Sequence, residues 1–328
     1  MTRHSATGRK KRRSLTGILG QGAMSFVVLL MLFALTSLLS PGFASPVHVA
    51  NLIVIGSFVG LAALGQTLVI IGGGLDLSIP WVMSAGGILV SVWTISSHSP
   101  NPWAIMGVVI AIGAGIGLVN GLGVTRLNIP PIIMTLAVGG ILEGIFLNVS
   151  QGSISPTAPK LMVGMATDKF ADVPLLAIIW TVLALVTWVI LAHTTYGRRL
   201  YSVGTNAIAS RLAGIAVGRV RLITYVLSGG MAAVAGMLLA GYIGTAYLDM
   251  GSSYQFASIA AVAIGGASIL GGNGTYWGTI AGALLLTVIA ALLPILHLSQ
   301  AWTEIASGLI ILIAVIVVRT QNPSRNAS

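Results

Sequence analysis

Long apolar runs alternate with short polar stretches along the whole chain, and the runs are too long, and too free of period-2 alternation, for strands. A helix needs about 20 mostly apolar residues to cross the hydrocarbon core of a bilayer. On that measure the pattern predicts spans near 18–39, 52–72, 80–97, 103–124, 129–149, 174–193, 222–244, 256–271, 276–297 and 300–318. The third and eighth are short and Gly-rich, so either is open to being broken or re-entrant. The expected fold is an all-α integral membrane bundle of about ten helices. A basic segment over 1–17 precedes a single transmembrane domain over 18–318, and a tail over 319–328 follows.

The polar stretches set the orientation. With Arg9-Lys10-Lys11-Arg12-Arg13 in the cytoplasm, ten crossings place the N-terminal segment, Arg126, the 194–221 loop and the tail on that side. Together these hold 14 of the 16 Lys and Arg, and the opposite loops hold only Lys160 and Lys169. That asymmetry is what the positive-inside rule requires, so both termini are expected in the cytoplasm. The first span also follows a basic region, as a signal peptide would. Its apolar stretch is longer than a signal h-region and no small-x-small cleavage site follows, so it is read as a retained helix.

Composition narrows the class further. Only 7% of residues are charged and 56% are hydrophobic, against about 25% charged in an ordinary soluble domain. The solvent is therefore largely lipid. A formal charge of +10 would suit a nucleic-acid binder, but the basic residues sit between apolar runs, where orientation signals belong. Lipid is the expected partner and nucleic acid is not. With no cysteine there is no disulfide framework and no Cys-based metal site. No G-x-x-x-x-G-K-[ST] is present, so this chain has no P-loop for nucleotide phosphates. His4, His48, His98, His193 and His297 are scattered without metal-ligand spacing. Neither a catalytic nor a metal-ligating set emerges, and no cofactor is expected in this chain.

Polar residues inside predicted spans are the functional candidates. An intramembrane ionisable group costs roughly 2.5–3.5 kcal/mol to insert, and only Glu143 lies well inside a span. It either lines a solute path or reaches the outer interface. Gln66, Asn120 and Thr135 can hydrogen-bond a hydroxylated solute or tie helix to helix. Glu304 lies one turn inside the last span and reads as interfacial. Asp76 follows Gly72-Gly73-Gly74, which break the helix, and Asp76 or Ser78 can cap the next one, whose first turn contains Pro80.

Two further patterns concern architecture. Ile71-Gly72-Gly73 followed by Trp81-x-x-x-Ala85-Gly86 resembles Ile264-Gly265-Gly266 followed by Trp277-x-x-x-Ala281-Gly282. This is a weak internal repeat of the kind transporters use, parallel on the ten-span count and inverted if one segment re-enters. Glycines four apart at Gly113/Gly117/Gly121, Gly140/Gly144 and Gly278/Gly282 predict close helix packing.

The 194–221 loop carries a short helix of its own. Thr205 or Asn206 is a good N-cap and Gly214 a good C′ residue. Ile208, Leu212 and Ile215 form a narrow apolar stripe. The stripe suits either a groove on another protein or a lipid surface helped by its arginines.

Tyr196-Gly-Arg-Arg-Leu-Tyr-Ser-Val-Gly204-Thr-Asn206-Ala-Ile-Ala-Ser-Arg211-Leu-Ala-Gly214-Ile215 resembles the cytoplasmic segment of ribose-type ABC-importer permeases. So do Gly73-Gly74-Leu75-Asp76-Leu77-Ser78, the stretch from Asn120-Gly121 through Ile129-Pro130-Pro131 to Thr135-Leu136, and that from Ile259-Ala260-Ala261 through Gly265-Gly266 to Gly271-Gly272-Asn273-Gly274. The likeness covers roughly 50–318. It implies a transport subunit of the bacterial inner membrane, paired with a second permease, two ATPase subunits that carry the ATP, and a periplasmic solute-binding protein. In that scheme Gly204, Asn206, Ile208, Arg211, Leu212, Gly214 and Ile215 meet the ATPase. The usual cargo is a pentose, hexose or related polyol. The chain departs from the family at Tyr254-Gln255-Phe256, where an acidic residue is expected, and at Ala290-Ala291, where Asn-Gly is expected. The same superfamily carries branched-chain amino acids and nucleosides, so no sugar follows. A self-contained secondary transporter or channel is the competing reading; the near-solitary Glu143 speaks against it, because such proteins usually need an embedded ion or proton site.

Overall fold

The computed structural model describes residues 15–96, 101–150 and 155–295, with isolated helical positions at Trp302, Ile305, Gly308 and Leu309. The basic N-terminal cluster, most of the tenth predicted span with Glu304, and the tail lie outside the described residues. The chain is helical nearly throughout: α1 (Leu15–Leu39), α2 (Pro46–Ile71), α3 (Ile79–Ser96), α4 (Pro102–Thr125), α5 (Pro131–Ser150), α6 (Lys160–Thr167), α7 (Leu175–His193), α8 (Thr195–Thr205), α9 (Ala207–Leu212), α10 (Val217–Ile243), α11 (Tyr254–Ile264) and α12 (Tyr276–Ile295). Among the described residues six helices are long and apolar enough to cross a membrane: α2, α4, α5, α7, α10 and α12.

Local signals set several starts. Ser45 accepts the His48 amide at 3.4 Å and Pro46 occupies the first turn of α2. Asn101 does the same for Trp103 at 3.1 Å, ahead of Pro102 in α4. Proline is tolerated there because its missing N–H has no partner in a first turn.

Among the described residues α10, at 27 residues, is the longest helix, about 40 Å. It packs against α2, α3, α4 and α6. Glycine makes this possible. A Cβ at Gly113 or Gly117 would overlap the backbone of Gly229 or Tyr225 in α10, and one at Gly229 would overlap Gly113 in return. Gly278 and Gly282 of α12 stand in the same relation to Gly265, just past α11, and Ala261 within it. Two of the three predicted glycine stripes are thus packing seams. The third is open: nothing lies within 4 Å of a Cβ at Gly140 or Gly144.

The eighth predicted span needs correction. α11 has 11 residues, about 16 Å, roughly half of what a crossing requires. The apolar sequence runs on to Leu270, but the helix stops at Ile264 because Gly266 turns left-handed at φ +86°. Hydropathy cannot register that stop. α10 begins at Val217, five residues before the predicted span, carrying Arg219 and Arg221 into the helix. The 160–174 stretch, read as loop, holds α6 and a two-stranded hairpin, β1 (Lys169–Phe170) and β2 (Val173–Pro174). Ala171 and Asp172 form its turn, both at positive φ, as a two-residue hairpin loop demands.

Candidate functional site

The link between α2 and α3 is buried at Asp76 and Ser78 and half-buried at Gly73, Gly74, Leu75 and Leu77. Asp76, 2% exposed, accepts from the Ser78 amide at 3.1 Å and the Ser78 hydroxyl at 2.6 Å through Oδ1. Its Oδ2 accepts from Ser228 of α10 at 2.7 Å. Ser78 Oγ in turn accepts from Asn120 Nδ2 of α4 at 2.8 Å, and Thr135 of α5 accepts the Leu77 amide at 3.0 Å. Asp76 therefore holds an amide just ahead of α3 and pins the link to α10. Asn120 and Thr135, both candidates for a solute path, are built into the same buried network, with Asn120 Oδ1 the one acceptor there left without a partner.

Gln66 and Glu143 stand apart from it. Gln66 of α2 is wholly buried, and neither its Oε1 nor its Nε2 has a hydrogen-bond partner. A buried amide without partners costs on the order of 1–3 kcal/mol per group, so this is an expensive residue for packing alone. Glu143 is half-buried on α5 beside the open Gly140 and Gly144.

The second constellation is the 194–216 connection. α8 is capped by Thr194, which accepts the Gly197 amide at 3.1 Å. It ends at Asn206, whose side chain accepts from Ala209 at 2.9 Å and so caps α9. Gly214 follows at φ +80°. The expected capped helix is present, with Asn206 rather than Thr205 as cap. Ile208 and Leu212 are 73% and 85% exposed, Arg211 is exposed and Ile215 half-buried. Beside them lies an open groove of about 620 Å³ between α8 and α9, lined by Arg198, Tyr201, Thr205, Ala209, Ala213 and Ile215 among others. The base of the unit is anchored: Tyr196 shares a 2.8 Å hydrogen bond with Thr224, and the Tyr201 hydroxyl donates to the Gly274 carbonyl at 2.7 Å. Burial pushes both phenols up to about 12, so they remain neutral near pH 7.

Gly72-Gly73 and Gly265-Gly266 are the corresponding parts of the internal repeat, and the closures at Gly73 and Gly266 share one hydrogen-bond pattern. After α2, Gly73 N–H donates to Ile70 at 2.9 Å and Gly74 N–H to Val69 at 3.0 Å, with Gly73 at φ +78°. After α11, Gly266 donates to Ala263 at 2.9 Å and Ala267 to Val262 at 3.2 Å, with Gly266 at φ +86°. Both are Schellman closures, which need a residue free to adopt the left-handed conformation. Broken helices in paired repeats are where transporters build their working parts.

Residues 48–315 match the family model described as "Branched-chain amino acid transport system / permease component". The chain belongs to this family. Over 322 residues it is 33% identical to the ribose import permease of Bacillus subtilis, covering 95% of this chain and 97% of that protein. It is 32% identical to the ribose import permease of Escherichia coli K12, covering 89% and 92%. With the autoinducer 2 import system permease of Klebsiella pneumoniae it shares 33% identity, covering 88% and 83%. This permease is thus the membrane-spanning subunit of an ABC importer, a ribose-type transport protein rather than an enzyme. Ser228, Tyr201 and Tyr276 are structural anchors that the sequence did not single out. Ser228 is a polar residue inside a predicted span, so the criterion that picked Gln66 would have found it. Tyr201 lies within the 196–215 run, but nothing there announces its bond to Gly274, and Tyr276 is an interior tyrosine with no local signature.

Proposed function

We propose that this permease forms the path by which a sugar or related small polar solute crosses the bacterial inner membrane. Two ATP-binding subunits would drive it, a periplasmic binding protein would deliver the solute, and a second permease subunit, identical or related, would complete the channel. Both termini lie in the cytoplasm in this reading, with about ten crossings in all, α11 supplying only part of the eighth. The observation that carries the energetic half of the proposal is the ridge of α9. A chain with no nucleotide site must receive its work mechanically, and Ile208 and Leu212 stand out from a capped helix, exposed among the described residues. The groove beside them gives an ATPase a concave surface to grip. For the path itself, Gln66 offers a buried donor and acceptor, the chemistry a hydroxylated solute requires.

Leu212→Glu tests the coupling. A carboxylate pressed into an apolar groove costs several kcal/mol, so the variant should lose capture of the ATPase subunits and lose uptake, while inserting normally. Were α9 only lipid-facing, the complex would survive the change. Full capture with normal uptake would remove α9 from the coupling role.

A further inference from the structure

The end of α8 is locked by backbone contacts to both repeat breaks at once. Gly272 N–H donates to the Ile71 carbonyl at 2.8 Å, which joins the loop after α11 to the last residue of α2. Gly204 fills the remaining space: a Cβ there would overlap the Ile71 carbonyl and press on Gly272. Gly271 has Gly73 Cα 2.8 Å and Gly204 O 2.9 Å from where its Cβ would stand, and Gly272 meets Thr205 in the same way. Gly271 and Gly272 are themselves left-handed, at φ +89° and +74°. Three segments distant in sequence therefore touch main chain to main chain, and the Thr205 hydroxyl adds a 3.5 Å hydrogen bond to the Gly272 carbonyl. Tyr201 adds its hydrogen bond to Gly274, one turn of α8 before Gly204.

Interfaces built of packed backbone are stiff and tend to move as units. We infer that Gly204, Gly271 and Gly272 form a knot that makes the end of α8 move as one body with both repeat breaks, so that a displacement of the α8–α9 unit reaches the starts of α3 and α12 together. The two arms differ in what they pull. The first leads in seven residues, through Asp76 and Ser78, to α3; the second leads directly into α12, whose Tyr276 hydroxyl bonds Gly60 of α2 at 2.8 Å. Gly204, Gly271 and Gly272 are in this sense positioning residues for transport, touching neither solute nor nucleotide. The inference rests on the coupling role proposed for α9.

The absence of native cysteine allows the test on the full chain assembled with its ATPase subunits and binding protein. Spin labels are placed at Ser202→Cys on α8 and Leu270→Cys on the loop after α11, both exposed, and in a second sample at Ser202→Cys and Val119→Cys on α4. Trapping the complex with Mg-ATP and vanadate should leave the first distance distribution unchanged and shift the second. A shift in the first pair as large as in the second overturns the knot, and so does the absence of any shift in both. Gly272→Ala, which drives a Cβ into Thr205, should still capture the ATPase at wild-type yield yet now shift the first pair; an unshifted first pair in that variant also overturns it. Tyr201→Phe, which removes one hydroxyl and adds no bulk, should broaden the first distribution should Gly272→Ala fail to fold, and an unbroadened distribution would then count against the knot. Failure of the wild type to capture any ATPase would instead overturn the coupling proposal.

Discussion

Asp76, in the link after α2, accepts a 2.7 Å hydrogen bond from Ser228 in α10, 152 residues further along the chain. The same carboxylate holds Ser78, which holds Asn120 in turn. One side chain thereby joins the first repeat break to α10 directly and to α4 through Ser78. A buried carboxylate is sustainable only when its oxygens are filled with donors, and here three donors converge on two oxygens.

Asp76→Ala should therefore destabilise the protein strongly. It strands the Ser78 and Ser228 hydroxyls, at about 1–3 kcal/mol for each group left unpaired. Asp76→Asn keeps one acceptor and should cost less. The midpoint of thermal aggregation in detergent should fall in the order wild type, Asn, Ala; an Ala variant as resistant as wild type would mean that the network contributes nothing to stability.

The glycine seams give a sharper contrast. Gly117→Leu drives a side chain into the Tyr225 backbone of α10, whereas Gly144→Leu enters open space. The first should abolish the monodisperse peak in size-exclusion chromatography and the second should leave it. Overpacking typically costs about 1–3 kcal/mol where neighbours can yield, and a helix backbone yields least. Equal behaviour of the two variants would refute this assignment of the seams.

Legibility followed the physics of each signal. Spans such as 103–124 and 174–193 fall within a residue or so of α4 and α7, because apolar length is what a bilayer measures. Asn206 and Gly214 were readable because capping is local chemistry. The Ile-Gly-Gly repeat was visible as letters, but only coordinates show that both copies close with the same hydrogen bonds. What escaped were contacts between distant segments. Nothing near Asp76 announces Ser228, and nothing near Gly204 announces Gly272. The α11 stop escaped because Gly265-Gly266 sits within an apolar run, where a window average sees no break.

Orientation has a direct check. Reporter fusions at Ser45, Lys160 and Ser210 should read outside, outside and inside, following the distribution of Lys and Arg. An inside reading at Lys160 would break the ten-crossing arrangement, since α6 and the hairpin would then share a side with α8–α9.

Glu143 separates path from periphery. It is half-buried on α5, and Gly140 and Gly144 beside it leave room for a solute or a second subunit. Glu143→Ala removes a charge from a lipid-embedded helix, so insertion should be unaffected. Uptake should fall severalfold if the carboxylate faces the path, measured with whatever solute the cognate binding protein captures. Uptake equal to wild type would assign Glu143 to the interface.

Gln66 offers the cleanest test of how solute is read. Both amide atoms are buried without partners, and a residue kept for packing alone would do better as a hydrocarbon of similar size. Gln66→Leu should then leave thermal stability equal or higher, because replacing an unsatisfied polar group removes its desolvation cost. If the amide meets solute hydroxyls during the cycle, the same variant should lose uptake by on the order of tenfold, the worth of about one hydrogen bond at 1.4 kcal/mol. ATPase capture and ATP hydrolysis by the complex should stay near wild type, since α8 and α9 are untouched. Stability retained and uptake lost places Gln66 on the path. Stability lost together with uptake makes it a packing residue whose partner forms in another state of the bundle, and unchanged uptake removes it from the path altogether.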